Sequence, residues 1–192
     1  SNIQELQTDN HNENYFDFDF ANKLSKKLGE YLLGGWKSQS EDRKTDFYLW
    51  NKKNRWVDDY ALFMSIKEDF NMMPWWEWPF DFKQKKFEVI KPWLIDKSDD
   101  ILKRKLVQWH LDKQWMRIKD FAKSKGVTLV GDLPFYVSRD SVDVWSNKSL
   151  FSISQDGNLL FQSGVPPDYF SSTGQLWSVS YTHLTLPTSV PV

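Results

Sequence analysis

The stretch VTLVGDLPFYVSRDSVDVWSNKSLFSISQDGNLLFQSGVPPDYFSSTGQLW, residues 127–177, decides the fold. Val127, Thr128, Leu129 and Val130 form an unbroken β-favouring run directly after a helical pattern that stops at Gly126. A buried parallel strand of an α/β protein reads this way. Gly131-Asp132-Leu133-Pro134 follows at once. An acid at the C-terminal end of such a strand sits where barrel and doubly wound enzymes keep polar working groups, although a turn aspartate capping the next segment reads equally well. Further on, Phe151 and Ile153, then Gln155-Asp156-Gly157-Asn158, then Leu159-Leu160-Phe161 predict a hairpin whose Asp-Gly supplies the positive φ its turn needs. Val165-Pro166-Pro167 forces an extended path into Asp168-Tyr169-Phe170, and Ser171-Ser172-Thr173-Gly174 leaves it. A loop stiff at one end and supple at the other suits a lid or clamp over a cleft; the alternative is a solvated proline turn.

Working outward, Asp99 or Asp100 begins the longest helical pattern, with Val107, Leu111, Trp115, Ile118 and Ala122 on one face and Gly126 as its stop. His110 beside that stripe reads as a packing or surface histidine, because no second histidine is near enough to share a metal. Met73-Pro74-Trp75-Trp76-Glu77-Trp78-Pro79 cannot be a helix interior and is expected as an ordered loop or helix start, its indoles serving packing. Glu77 is a candidate buried acid with a raised pKa. Phe20, Leu24, Leu28 and Tyr31 predict an amphipathic helix, Trp36 to Asp46 a polar linker, and Asp58 or Asp59 the N-cap of a helix carrying Tyr60, Phe63, Met64 and Lys67. The segment from Asp81 to Asp100 reads as surface connection, and Arg139-Asp140-Ser141 as a turn or helix start.

Composition narrows the function classes. With 27% charged residues, a net charge of −1 and no apolar run near the length of a membrane span, the chain lacks the charge excess of a polyanion binder and the signature of a spanning helix. A cytosolic or equivalent compartment is the default expectation. The absence of cysteine removes disulfides and thiolate metal sites. Eleven tryptophans suit a protein that stacks sugar rings, though packing accounts for most such counts.

GDLPFYVSRDSVDVW at 131 to 145 and GVPPDYFSSTGQLW at 164 to 177 resemble the 4-alpha-glucanotransferases, or amylomaltases, of glycoside hydrolase family 77. WVDDYALFMSIKE at 56 to 68 and PWWEWP at 74 to 79 match the same family in the same order. The resemblance implies an α/β fold, an incomplete (β/α)8 barrel segment with helical insertions, since a whole barrel takes about 250 residues. It implies transfer of α-1,4-glucan segments between malto-oligosaccharides by a retaining double displacement, without metal or organic cofactor, nucleic acid or membrane. Within the sugar site it implies Asp132 as a polar contact, Asp168 and Tyr169 as loop contacts to bound glucan, and Trp177 as the aromatic closing over it. The family's catalytic carboxylates, in an Arg-x-Asp-His segment and beyond, have no counterpart here and are expected after Trp177. From Ser178 the sequence departs from the pattern, so residues 1–177 are expected to be a partial catalytic barrel domain and 178–192 a non-native or frameshifted tail. An α-glucan hydrolase of the same clan and a non-catalytic glucan-binding protein are the other readings.

Overall fold

The computed structural model describes residues 17–131 and 137–179. Helices dominate: α1 (Phe18–Trp36), α2 (Glu41–Lys53), α3 (Trp56–Asp69), α4 (Phe80–Lys83), α5 (Phe87–Asp96), α6 (Ser98–Ser124) and α7 (Val142–Ser146). Two strands follow, β1 (Gln162–Val165) and β2 (Gln175–Val179), paired antiparallel. The chain divides into two compact units. Unit 1 takes in residues up to Ala61 together with Asp99–Thr128, and unit 2 takes in Leu62–Ser98 and the chain from Leu129 onward.

In unit 1 local signals set the helix boundaries. Asp17 caps α1 by accepting the Phe20 N–H at 2.9 Å, and Ser40 caps α2 by accepting that of Arg43 at 3.3 Å. Glu41 and Asp42 in the first turn of α2, and Lys52 and Lys53 in its last, match the helix dipole. The expected linker from Trp36 to Asp46 is therefore largely helix, and Phe47 is the buried residue that α2 contributes. Phe47 and the partly buried Trp50 three residues on are too few apolar contacts to show as a period. Trp36, Phe47, Leu106 and Trp109 form the core of this unit. The Trp50 indole donates to Asp112 Oδ2 at 2.9 Å, and Lys113 lies 4.2 Å from the Trp109 ring centroid.

The stop at Gly126 is a Schellman turn. Gly126 has φ +70°, its N–H donates to Lys123 O at 3.0 Å, and the Val127 N–H donates to Ala122 O at 3.0 Å. The expected parallel strand at Val127–Val130 does not follow: this run has no strand pairing, and Val130 is 91% exposed. Extended backbone becomes a strand only with a neighbour to complete the ladder, and among the described residues β1 and β2 pair with each other. Likewise Leu111, Trp115 and Ile118 of the α6 stripe stand exposed, whereas Val107 is buried.

Unit 2 is built round tryptophan. Leu62, Phe63, Ile66, Trp75, Trp78, Ile90, Val144, Trp145, Phe151, Ile153 and Val179 form its core. Trp78 meets Phe63 at 5.3 Å and Trp145 at 5.8 Å between ring centroids. The PWWEWP motif is a 3-10 turn over Trp75–Glu77 with Trp75 and Trp78 buried, as packing requires; Glu77 is exposed and not a buried acid. The expected connection after it instead holds α4 and α5. Pro92 lies inside α5, a defect costing about 3 kcal/mol, which burial of Ile90 and the Trp93 indole's bond to Ser65 Oγ at 3.2 Å offset. Ser141 caps α7 through the Val144 N–H at 3.3 Å, in agreement with the helix start read there.

Candidate functional site

The Asp156-Gly157 turn forms as the sequence indicates. Gly157 has φ +86°, its N–H donates to Ser154 O at 2.9 Å, and Ile153 and Leu159 make one antiparallel bridge. A Cβ at Gly157 would come within 2.5 Å of Trp75 Cη2 and 2.9 Å of Trp76 Cβ, so both the backbone angle and the close approach demand glycine. Arg139 closes this turn from the other side. Its Nε and Nη2 donate to Gly157 O at 3.0 and 2.5 Å, and its guanidinium carbon lies 3.8 Å from the Trp76 ring centroid. Burial lowers the Arg139 guanidinium somewhat from its usual value. Asp140 beside it pairs with the buried Lys67 ammonium of α3 and accepts the Trp75 N–H at 3.4 Å. The Trp75 indole donates to Arg139 O at 2.7 Å.

Lys148 completes this polar rim. Its ammonium donates to Lys83 O and sits 5.2 Å from the Trp75 ring centroid. Burial, and then the charge of Lys83, lower its pKa against the opposing pull of Asp156.

Past the turn, β1 and β2 form the stem of the 166–174 loop. Their register runs Gln162↔Val179, Ser163↔Ser178, Gly164↔Leu176 and Val165↔Gln175, with an irregularity between Ser163 and Gly164. Trp177 is the residue this register skips, so its backbone occupies a β-bulge. At the loop, Asp168 Oδ1 accepts the N–H groups of Phe170 at 2.9 Å and Ser171 at 2.8 Å. Ser171 Oγ donates to Gly174 O at 2.7 Å, and Gly174 has φ +72°. Tyr169 is 97% and Phe170 87% exposed, with their rings perpendicular at 5.5 Å. An ordered turn thus carries two aromatic rings into solvent.

Of the residues singled out from the sequence, the fold brings Asp168, Tyr169 and Trp177 onto one hairpin. Asp132 lies outside the described residues. Sequence reasoning passed over Arg139 and Asp140 as part of a turn or helix start. Their partners lie far along the chain, and no local pattern announces such contacts. No group of acidic residues and histidines among the described residues could hold a metal ion.

The geometry can be set beside known proteins. The family model of the 4-alpha-glucanotransferases, glycoside hydrolase family 77, matches residues 1–185. The chain belongs to that family. Over 126 residues it is 40% identical to the 4-alpha-glucanotransferase of Clostridium butyricum, covering 65% of this chain and 26% of that protein. Over 122 residues it is 43% identical to that of Aquifex aeolicus, covering 64% and 25%. The structure of an amylomaltase from Streptococcus agalactiae, in complex with acarbose, superposes with a TM-score of 0.86 at 29% identity over 95% of this chain and 37% of that one. The chain spans about a quarter of the length of these curated relatives. A related rice protein is described as chloroplastic/amyloplastic. No helix among the described residues is long and apolar enough to cross a membrane.

Proposed function

We propose that this chain is part of a 4-alpha-glucanotransferase, a segment of its (β/α)8 barrel with helical insertions, and that the 166–174 loop is the part of its glucan site carried here. The observation that supports this most is the solvent-facing Tyr169–Phe170 pair on an ordered hairpin, in a chain whose amylomaltase relative is described in complex with acarbose. A sugar ring presents C–H faces to an aromatic plane and hydroxyls to a carboxylate. Asp168 keeps acceptor capacity for such hydroxyls, because a carboxylate has about four lone-pair sites and two are occupied by the Phe170 and Ser171 N–H groups. In this reading Asp132 is a polar contact of the same site and Trp177 an aromatic wall of it.

The chemistry is a retaining transfer. One carboxylate attacks the anomeric carbon while a second carboxyl protonates the leaving sugar oxygen, and a sugar hydroxyl then replaces water in releasing the glycosyl-enzyme. Those two carboxyl groups belong to the longer polypeptide in this proposal, and the segment described here binds and encloses. Its place is the cytoplasm, or the plastid stroma in a plant or alga.

The test is acarbose binding by calorimetry in a longer polypeptide carrying this chain. Tyr169→Ala and Asp168→Ala are each expected to weaken affinity about tenfold, or roughly 1.4 kcal/mol. Tyr169 is the cleaner probe, because a ring 97% exposed contributes little to folding. Unchanged affinity in both variants would return the loop to the role of scaffold.

A further inference from the structure

The exposed tip of the 166–174 loop is carried on a stem held at two points. At the downstream end, Val179 is 1% exposed and belongs to the unit 2 core. It pairs with Gln162, the first residue of β1. Upstream, Leu160 is 61% and Phe161 72% exposed, and the apolar contact nearest β1 is the partly buried Leu159, which packs on the same core and bridges to Ile153. The polar part of the hold there is the turn at Gly157, whose carbonyl receives both Arg139 N–H bonds, together with the Leu160 N–H bond to Ser152 O at 2.9 Å. Arg139 is itself held against Trp76, next to the fully buried Trp75. A planar fork stacked on an indole has few directions left in which to move.

We propose that Arg139 is a positioning residue for the 166–174 loop. Its guanidinium pins the upstream end of the loop's stem to the tryptophan core, as Val179 pins the downstream end, and the two pins together set where Tyr169 and Asp168 point. The functional half of this inference rests on the glucan-contacting reading of the loop, and the positional half does not.

Amide hydrogen exchange on the full chain tests the positional half with no sugar present. In Arg139→Gln, exchange is expected to quicken about tenfold at Phe170, Ser171 and Gly174 as well as at Gly157, while amides of α6 keep their rates. Arg139→Lys, which retains the charge but not the fork, is expected to fall between. If Gly157 alone responds, or if lysine restores the loop in full, the fork does not position it and the proposal is overturned. The functional half is read in a longer polypeptide that disproportionates maltotriose. There Arg139→Gln is expected to raise KM severalfold with kcat and Tm nearly unchanged, whereas a role in stability alone would lower Tm and leave KM in place. Altered exchange with unaltered KM would keep the pin and dismiss the loop as a glucan contact; unaltered exchange would dismiss the pin, whatever the loop binds.

Discussion

Replacing Trp75 by alanine is expected to destabilise unit 2 by about 4 kcal/mol, the range of a large buried aromatic truncation. The indole is 0% exposed. Its removal opens a cavity, and it also deprives Arg139 O of its 2.7 Å donor and the Gly157 turn of the ring it is built against. Against a typical domain stability of about 5–15 kcal/mol that loss is large. Urea unfolding followed by far-UV circular dichroism measures it, with Tyr169→Ala as the control from the same unit. The control is expected to stay within about 0.5 kcal/mol of the wild type, as exposed substitutions do. Equal costs for the two would mean that the PWWEWP turn is not the centre of this core.

Asp140→Ala is expected to cost about 3 kcal/mol, for a different reason. The Lys67 side chain is only 9% exposed, and without its carboxylate the ammonium is left unpaired beside the Phe63 ring. The lower end of the usual range is appropriate because the Asp140 side chain keeps 27% exposure, so water reaches one side of the pair. Removing both charges should then relieve most of the loss: Lys67→Met combined with Asp140→Asn is expected to come within about 1 kcal/mol of the wild type. A single-variant cost under about 1 kcal/mol would place the pair among surface ion pairs. Coupling between the two positions is therefore the quantity to measure.

What could be read without coordinates was what is local. Gly126, Ser141 and the Asp156-Gly157 turn each announce a cap or a turn by residue type, and each forms. The two prolines of PWWEWP excluded a helix interior, and the packing role of the motif came with the family pattern; Trp75 and Trp78 are buried. The failures share a cause. Val127–Val130 has strand propensity, but a strand is made by its neighbours, and it lies unpaired and exposed here. The α2 segment has its caps and dipole charges in place, yet Phe47 and the partly buried Trp50 are too few apolar contacts to give a period to detect. In α5, within the segment read as surface connection, Ile90 and Trp93 sustain by packing a helix that carries Pro92, a tertiary effect outweighing a local penalty.

The candidate site divides along the same line. Asp168 and Tyr169 were singled out through the family pattern, and the structure shows Asp168 closing its own turn. Arg139 could not be read as a partner of Gly157 and Trp76, since nothing in SRDS specifies where a guanidinium will find an acceptor. Long-range polar contacts of this kind follow from the packing of the whole unit.

The most direct measurement of the central claim is incubation of maltotriose with a longer polypeptide carrying this chain and, separately, with this chain alone. Maltosyl transfer from one maltotriose to another releases glucose and makes a five-glucose oligomer, through the covalent intermediate that a carboxylate pair provides. The account predicts glucose and longer oligomers together from the longer polypeptide, and unchanged maltotriose from this chain. Glucose and maltose without any longer product from the former, or transfer by the latter, would contradict it.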